Sequence, residues 1–249
     1  MSGYEFLAIR DASEEDGRLY PVMGDAQHPV EPEPGDGTPM RFTAGGLDIM
    51  ESLPNGMKKL SGLRNVRLDL VLTDTRLALS CDKFDKGGGW WGIGGAGAAI
   101  ALVADGVSKV RAAHRRRGRA LLGQVRYPWI RCVGFMPKTG WASEEQLRLG
   151  VVSQLADGST RELFLDLILP KTVASEAVAK ELVGRAARHR LTRTPFREEE
   201  RASLEALAGG PTLPAAESGK FALYQLPRYY YVSPDSVDLQ PHPSPERTS

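Results

Sequence analysis

Residues 66–81, VRLDLVLTDTRLALSC, carry the clearest structural pattern in the chain. Apolar and polar residues alternate in two runs, which are separated by Thr73-Asp74-Thr75. A period of two places every second side chain on one face of a strand, and a short polar break containing Asp favours a tight turn. The stretch therefore predicts an antiparallel hairpin whose buried face is formed by Val66, Leu68, Leu70, Leu72, Leu77, Leu79 and Cys81.

Similar patterns further along the chain predict that this hairpin belongs to a larger sheet. Asp157-Gly158, a dipeptide typical of hairpin turns, separates two runs of alternating apolar residues. Residues 121–133 supply additional strand material, in which Pro128 marks an edge, a bulge or a bend. The apolar positions of these strands are Leu121, Leu122, Val125, Tyr127, Ile130, Val133, Leu147, Leu149, Val151, Leu163, Leu165, Leu167 and Leu169.

One amphipathic helix is expected after the strands. Pro170 ends the strand region, Ser175 is a suitable N-cap, and the helix should continue to about Leu191. Residues 197–208 predict a shorter polar helix, and residues 221–232 an extended segment. A single helix after several strands can cover the open end of a bent sheet, here through the stripe Ala174, Val178, Leu182, Ala186 and the aliphatic part of His189.

Residues 87–119, GGGWWGIGGAGAAIALVADGVSKVRAAHRRRGR, interrupt the strand pattern. An apolar, Gly-rich run from Trp90 to Ala104 leads directly into a basic run. The second half of the segment favours a helix, although Gly106 weakens its middle. A spanning helix needs about 20 mostly apolar residues, so this run is too short to cross a bilayer.

Indoles, an apolar segment and a cationic flank are typical of a membrane-surface or partner-binding element. The basic run is also compatible with a solvated helix end, and the apolar run with packing on its own domain or with self-association. Anionic lipid and a protein partner are the binding hypotheses, whereas a near-neutral chain with one short cluster argues against nucleic acid. The candidate docking residues are Trp90, Trp91, Ile93, Ile100, Lys109, Arg111, Arg115, Arg116, Arg117 and Arg119.

No catalytic, cofactor-binding or metal-binding constellation is evident in the sequence. Residues 92–97 match G-x-G-x-x-G, but the preceding strand ends too early for a dinucleotide-binding turn, and no acid follows at the required distance. The four histidines share no ligand spacing. Cys81 and Cys132 stand in strand-like contexts and are expected to be reduced core residues. We therefore predict no cofactor, no metal and no enzymatic activity.

Two motifs resemble those of a known group of domains. Residues 70–77, LVLTDTRL, resemble the strand–turn–strand signature of bacterial PH-like and GRAM-like domains, and residues 125–133, VRYPWIRCV, resemble a later strand of the same group. The resemblance covers roughly residues 44–192. It implies an α+β fold, a bent antiparallel β-sandwich or barrel capped by a C-terminal helix, and a binding or scaffolding role. The inserted helix within 82–119 is a departure from the smaller members of the group.

These features predict a domain organisation and a function. Residues 1–43 form an N-terminal extension with a Pro-rich acidic linker, residues 44–192 the PH/GRAM-like domain with its insertion at 82–119, and residues 193–249 a C-terminal extension. With a net charge of +1 and no apolar signal core, we expect a cytoplasmic binding or adaptor module that can contact a membrane peripherally. The alternative is a structural protein whose insert mediates self-association or complex formation.

Overall fold

The computed structural model describes residues 7–11, 37–81, 119–136, 145–154, 160–193, 197–211, 216–218 and 220–227. These residues form a ten-stranded antiparallel sheet with two α-helices, so the predicted α+β class is confirmed. The strands are β1 (Leu7–Asp11), β2 (Met40–Leu53), β3 (Gly56–Leu72), β4 (Arg76–Cys81), β5 (Arg119–Arg126), β6 (Ile130–Phe135), β7 (Glu145–Gln154), β8 (Thr160–Leu169), β9 (Ala216–Ser218) and β10 (Phe221–Gln225).

The strand order is β1-β5-β4-β3-β2-β8-β7-β6-β10-β9, and every neighbouring pair is antiparallel. The sheet curls into half a barrel, with β1 and β9 at the two ends of its order among the described strands. The predicted hairpins β3–β4 and β7–β8 are both present. Strands from both predicted extensions, β1 and β10, also belong to this sheet.

The long strand β2 connects the two halves of the sheet. It pairs with β3 along its whole length, from Met40↔Leu72 to Leu53↔Gly56, and its residues 46–51 also pair with β8. Its register against β3 shifts between Ala44 and Gly46. A bulge of this kind bends a strand and increases its local twist. A Cβ atom on Gly46 would lie 2.6 Å from the Leu63 carbonyl oxygen, so the close approach of the two strands requires glycine at this position.

The core lies on the concave side of the sheet. Alternate residues of successive strands point to this side, and they merge into one cluster with the apolar face of the helix. Cys81 and Cys132 are buried free thiols, as expected, and Trp129 is buried as a core residue. The fully buried members of the cluster include Leu47, Ile49, Leu68, Leu70, Leu72, Leu77, Leu79, Leu121, Val125, Leu147, Leu149, Val133 and Leu182.

Helix α1 (Ser175–Arg193) packs on β6 and β7, and helix α2 (Arg201–Ala208) packs on α1. Both helices were predicted, and the stripe residues Val178, Leu182 and Ala186 are buried. The exception is Ala174, which precedes the helix and is exposed. At the other end, the buried Arg190 donates a hydrogen bond of 2.9 Å to the Ile130 carbonyl oxygen and another to Pro227. These contacts fix the helix across the sheet.

The N-terminus of α1 is stabilised by a strand residue. Ser175 was predicted as the N-cap, but it is the first helical residue, and its hydroxyl donates to Glu145 Oε2 at 2.5 Å. The same carboxylate oxygen accepts the Ser175 backbone N–H at 3.3 Å. An anion that accepts a first-turn N–H satisfies an orphan donor and interacts favourably with the helix dipole. Glu145 therefore couples β7 to the start of α1.

We expect Glu145→Ala to lower the free energy of unfolding by about 1 kcal/mol, because it removes this tertiary cap. Urea titration followed by circular dichroism measures the effect. Glu176→Ala is the control, since Glu176 lies in the same turn and forms an exposed ion pair of 2.8 Å with Lys180. Such a pair contributes only about 0.3–0.5 kcal/mol. Equal losses in the two variants would contradict the capping role.

Candidate functional site

The predicted docking segment is inserted between two adjacent strands. β4 ends at Cys81, β5 begins at Arg119, and the two strands pair from Arg76↔Arg126 to Cys81↔Leu121. Residues 82–118 therefore connect the ends of two neighbouring strands. The two flanking strands pair with each other without a register shift from Arg76↔Arg126 to Cys81↔Leu121.

Most of the predicted docking residues lie outside the described part of the chain. Arg119 is the exception: it is the first residue of β5, and its backbone pairs with Asp11 of β1. The helix predicted in the insert also lies outside the described residues. The predicted docking residues outside the described part of the chain are Trp90, Trp91, Ile93, Ile100, Lys109, Arg111, Arg115, Arg116 and Arg117.

The strand directions show which end of the sheet carries the insert. β3 runs away from the β2–β3 turn, and β4 runs back antiparallel to it, so that Ser80 pairs with Asp69. The chain therefore leaves Cys81 toward the end of the β2–β3 hairpin. The end of β7 and the start of β8, where Gln154 pairs with Thr160, lie toward the same end, because β8 runs antiparallel to β2.

The tip of the β2–β3 hairpin was not predicted. Leu53 pairs with Gly56 across Pro54 and Asn55, and Gly56 has a φ of 126°, a conformation that favours glycine. Leu53 and Met57 are 42% and 40% exposed, respectively. The Asn55-Gly56 dipeptide is a hairpin signal that sequence reasoning could have used.

Two acidic side chains of β2 behind this tip are paired with cations. Glu51 is 8% exposed and accepts a hydrogen bond of 2.8 Å from Arg161. Asp48 contacts Lys59 at 2.7 Å and also pairs with Arg64. These pairs neutralise both carboxylates, so they add no net negative charge to this end of the hairpin.

A second charged group crosses the convex side of the sheet. Arg148 is 8% exposed and forms a two-pronged ion pair with Asp166, with distances of 2.6 and 2.7 Å. Its guanidinium carbon also lies 3.9 Å from the centroid of the Phe221 ring and 5.3 Å from that of Phe164. Asp166 pairs directly with Asp48 of β2, so two carboxylates are neighbours across the strands. Arg148 therefore joins three strands of the sheet and has the geometry of a structural clamp.

The described residues include two buried thiols and no cluster of metal-ligating side chains. Within the ranges that the structure describes, no three His, Cys, Asp or Glu side chains are close enough together to hold a metal ion. Burial raises the pKa of the Cys132 thiol to about 11, which keeps this thiol protonated at neutral pH. In the same ranges, no helix has the length and apolar character needed to cross a membrane.

Comparison of the chain with known protein families, with characterised proteins and with solved structures found no match.

Proposed function

We propose that this chain is a non-enzymatic binding module of PH-like type, which docks to an anionic membrane surface or to a protein partner through residues 87–119. The proposal rests on the pairing between β4 and β5, the strands that precede and follow the insert. An apolar and basic segment that joins neighbouring strand ends can engage a ligand while the sheet keeps its register.

The positions of the two family-like motifs support the PH-like part of the proposal. Residues 70–77 span the end of β3, the turn and the start of β4, and residues 125–133 cross from β5 into β6. The turn is held by Tyr127, whose hydroxyl donates to the Thr73 carbonyl oxygen. The helix that follows β8 packs across the curled sheet, in agreement with the fold that the resemblance implies.

The composition of the insert supports an anionic surface as its ligand. Each Lys or Arg near an anionic leaflet contributes about 1 kcal/mol of attraction, and six such residues lie within 109–119. Trp90 and Trp91 add amphipathic rings suited to the interface between water and lipid. Engagement of half of the basic residues would be sufficient for peripheral binding.

We expect Arg115→Glu/Arg116→Glu/Arg117→Glu to weaken binding to phosphatidylserine-containing vesicles at least tenfold, because it reverses charge within the basic run. Cosedimentation of the full chain measures the affinity, which should also fall with rising salt. The control is Arg41→Glu/Lys171→Glu/Lys220→Glu, with the same change in net charge at exposed positions outside the insert. Equal effects of the two variants would contradict a docking role for the basic run.

A deletion variant tests the insert as a whole. Replacing residues 82–118 with Thr-Thr-Asn-Gly places two strand residues opposite Ala120 and Arg119 and closes the hairpin with a two-residue turn. We expect a folded protein that no longer binds vesicles. Light scattering on the same pair of proteins tests the self-association hypothesis. An oligomer that becomes a monomer on deletion would favour an assembly role over membrane docking.

A further inference from the structure

We propose that the tip of the β2–β3 hairpin is a second membrane contact, which inserts Leu53 and Met57 into the interface of an anionic bilayer. The inference rests on the proposed function, because it assigns another element to the same end of the sheet and selects a lipid surface as the ligand.

The exposure of the tip is unusual for its residue types. Among the described residues, Leu53 and Met57 are the large hydrophobic side chains that are exposed, at 42% and 40%. Pro54 lies between them and is also exposed. The free energy of accessible apolar side chains falls when they move from water into an apolar phase.

The register of the hairpin indicates the kind of surface that can bury both residues. Leu53 pairs with Gly56, and Ser52 pairs with Met57. Directly paired residues share a face and successive residues alternate, so Leu53 and Met57 point to opposite faces of the hairpin. A flat partner surface would cover one of them. A fluid interface that the tip enters end-on covers both.

The charge of the tip suits an anionic leaflet. Lys58 follows Met57 and is exposed. Two carboxylates of β2 behind the tip, Glu51 and Asp48, are held in pairs with Arg161 and Lys59. On the neighbouring strand β8, Glu162 is paired with Arg131. The tip thus presents apolar side chains beside a cation, and repulsion of lipid phosphate is weakened by these pairs.

The insert and the tip can reach one surface. β4 ends one residue beyond the Asp69↔Ser80 pair and runs toward the hairpin tip, which lies at most about 40 Å further at a rise of about 3.3 Å per residue. An extended chain covers about 3.3–3.6 Å per residue, so residues 82–118 are long enough to span this distance. Two contacts on one body strengthen each other through effective concentration.

The experiment measures cosedimentation of the full chain with vesicles of phosphatidylcholine and phosphatidylserine, and of phosphatidylcholine alone. We expect Leu53→Ser/Met57→Ser to weaken binding to the mixed vesicles about fivefold, because two apolar side chains that the lipid interface would partly bury are lost. The control Leu53→Met/Met57→Leu keeps apolar volume and should bind within about twofold of the original chain. Tip insertion is overturned if the serine variant binds as tightly as this control.

A spectroscopic measurement reports insertion directly. Leu53→Cys labelled with an environment-sensitive fluorophore should shift to the blue on mixed vesicles, and both native thiols are buried and protected from the label. An unshifted probe on a chain that cosediments contradicts the tip contact but leaves the insert intact. If Arg115→Glu/Arg116→Glu/Arg117→Glu loses binding and Leu53→Ser/Met57→Ser does not, the docking role of the insert is supported and the tip contact is overturned. If the original chain binds neither vesicle, the tip proposal fails, while docking of the insert to a protein partner stays open.

Discussion

Replacing Arg148 with Ala should lower the free energy of unfolding by about 3–5 kcal/mol, the range observed when one partner of a buried ion pair is removed. The loss has two physical causes. Asp166 would stay largely buried without the arginine that pairs with both of its oxygens. Its carboxylate would also lie directly opposite that of Asp48. Phe221 would also lose the guanidinium that lies 3.9 Å from its ring centroid. Urea unfolding at neutral pH measures the change.

Two comparison variants make this prediction specific. Arg67→Ala removes an arginine from an exposed pair with Asp69, whose side chains are 76% and 43% accessible, and should cost less than about 1 kcal/mol. Arg148→Leu/Asp166→Leu removes both buried charges together and should recover most of the loss. A single Arg148→Ala variant as stable as Arg67→Ala would contradict the clamp.

Gly46→Ala should destabilise the protein by about 2–3 kcal/mol, because the new methyl group would lie 2.6 Å from the Leu63 carbonyl oxygen and 3.0 Å from Ile168 Cδ1. The obstructing oxygen belongs to the backbone of β3, which cannot move without changing the pairing of β3 with β2 beside the register shift. Thermal and urea unfolding of the variant measure the effect.

Gly45→Ala is a matched control for this substitution. Gly45 is the preceding residue and is exposed, and a methyl group placed on it would have the Ile168 carbonyl oxygen, at 3.9 Å, as its nearest neighbour. The stability of this variant should be unchanged or higher by less than about 1 kcal/mol, because alanine reduces the entropy of the unfolded chain. Similar losses at both positions would show that the strand propensity of the new residue, and not the close approach at Gly46, determines the result.

Local periodicity predicted the strands whose alternation is unbroken. Val66–Cys81 and the strands around Asp157-Gly158 could be recognised because their inward residues follow a two-residue period. β2 was missed because its buried residues change phase at the bulge: Phe42 and Ala44 lie on one period, and Leu47 and Ile49 on the other. Between the pairs Ala44↔Leu68 and Gly46↔Arg64, β2 advances by two residues and β3 by four, and this irregular pairing breaks the regular pattern on which the prediction depends.

The candidate site was predictable only in part. The sequence identified the insert as a distinct segment and predicted the hairpin strands that flank it, but it could not pair β1 with β5 or β10 with β6, since these contacts join distant parts of the chain. Arg148 alternates with core leucines and therefore has the pattern of a solvated arginine. It is buried because Phe221, which is distant in the sequence, packs against its guanidinium group. Local periodicity does not reveal such a contact.

The late position of β10 has a consequence for synthesis. Phe221 and Leu223 complete a small apolar cluster with Cys132 and Phe164, which belong to strands made much earlier. Cys132 and Phe164 therefore stay exposed on the nascent chain until almost the whole domain has been translated. Such intermediates are prone to aggregate. A chaperone that binds the unfinished chain at the ribosome should therefore reduce aggregation most just before residues 221–225 are synthesised.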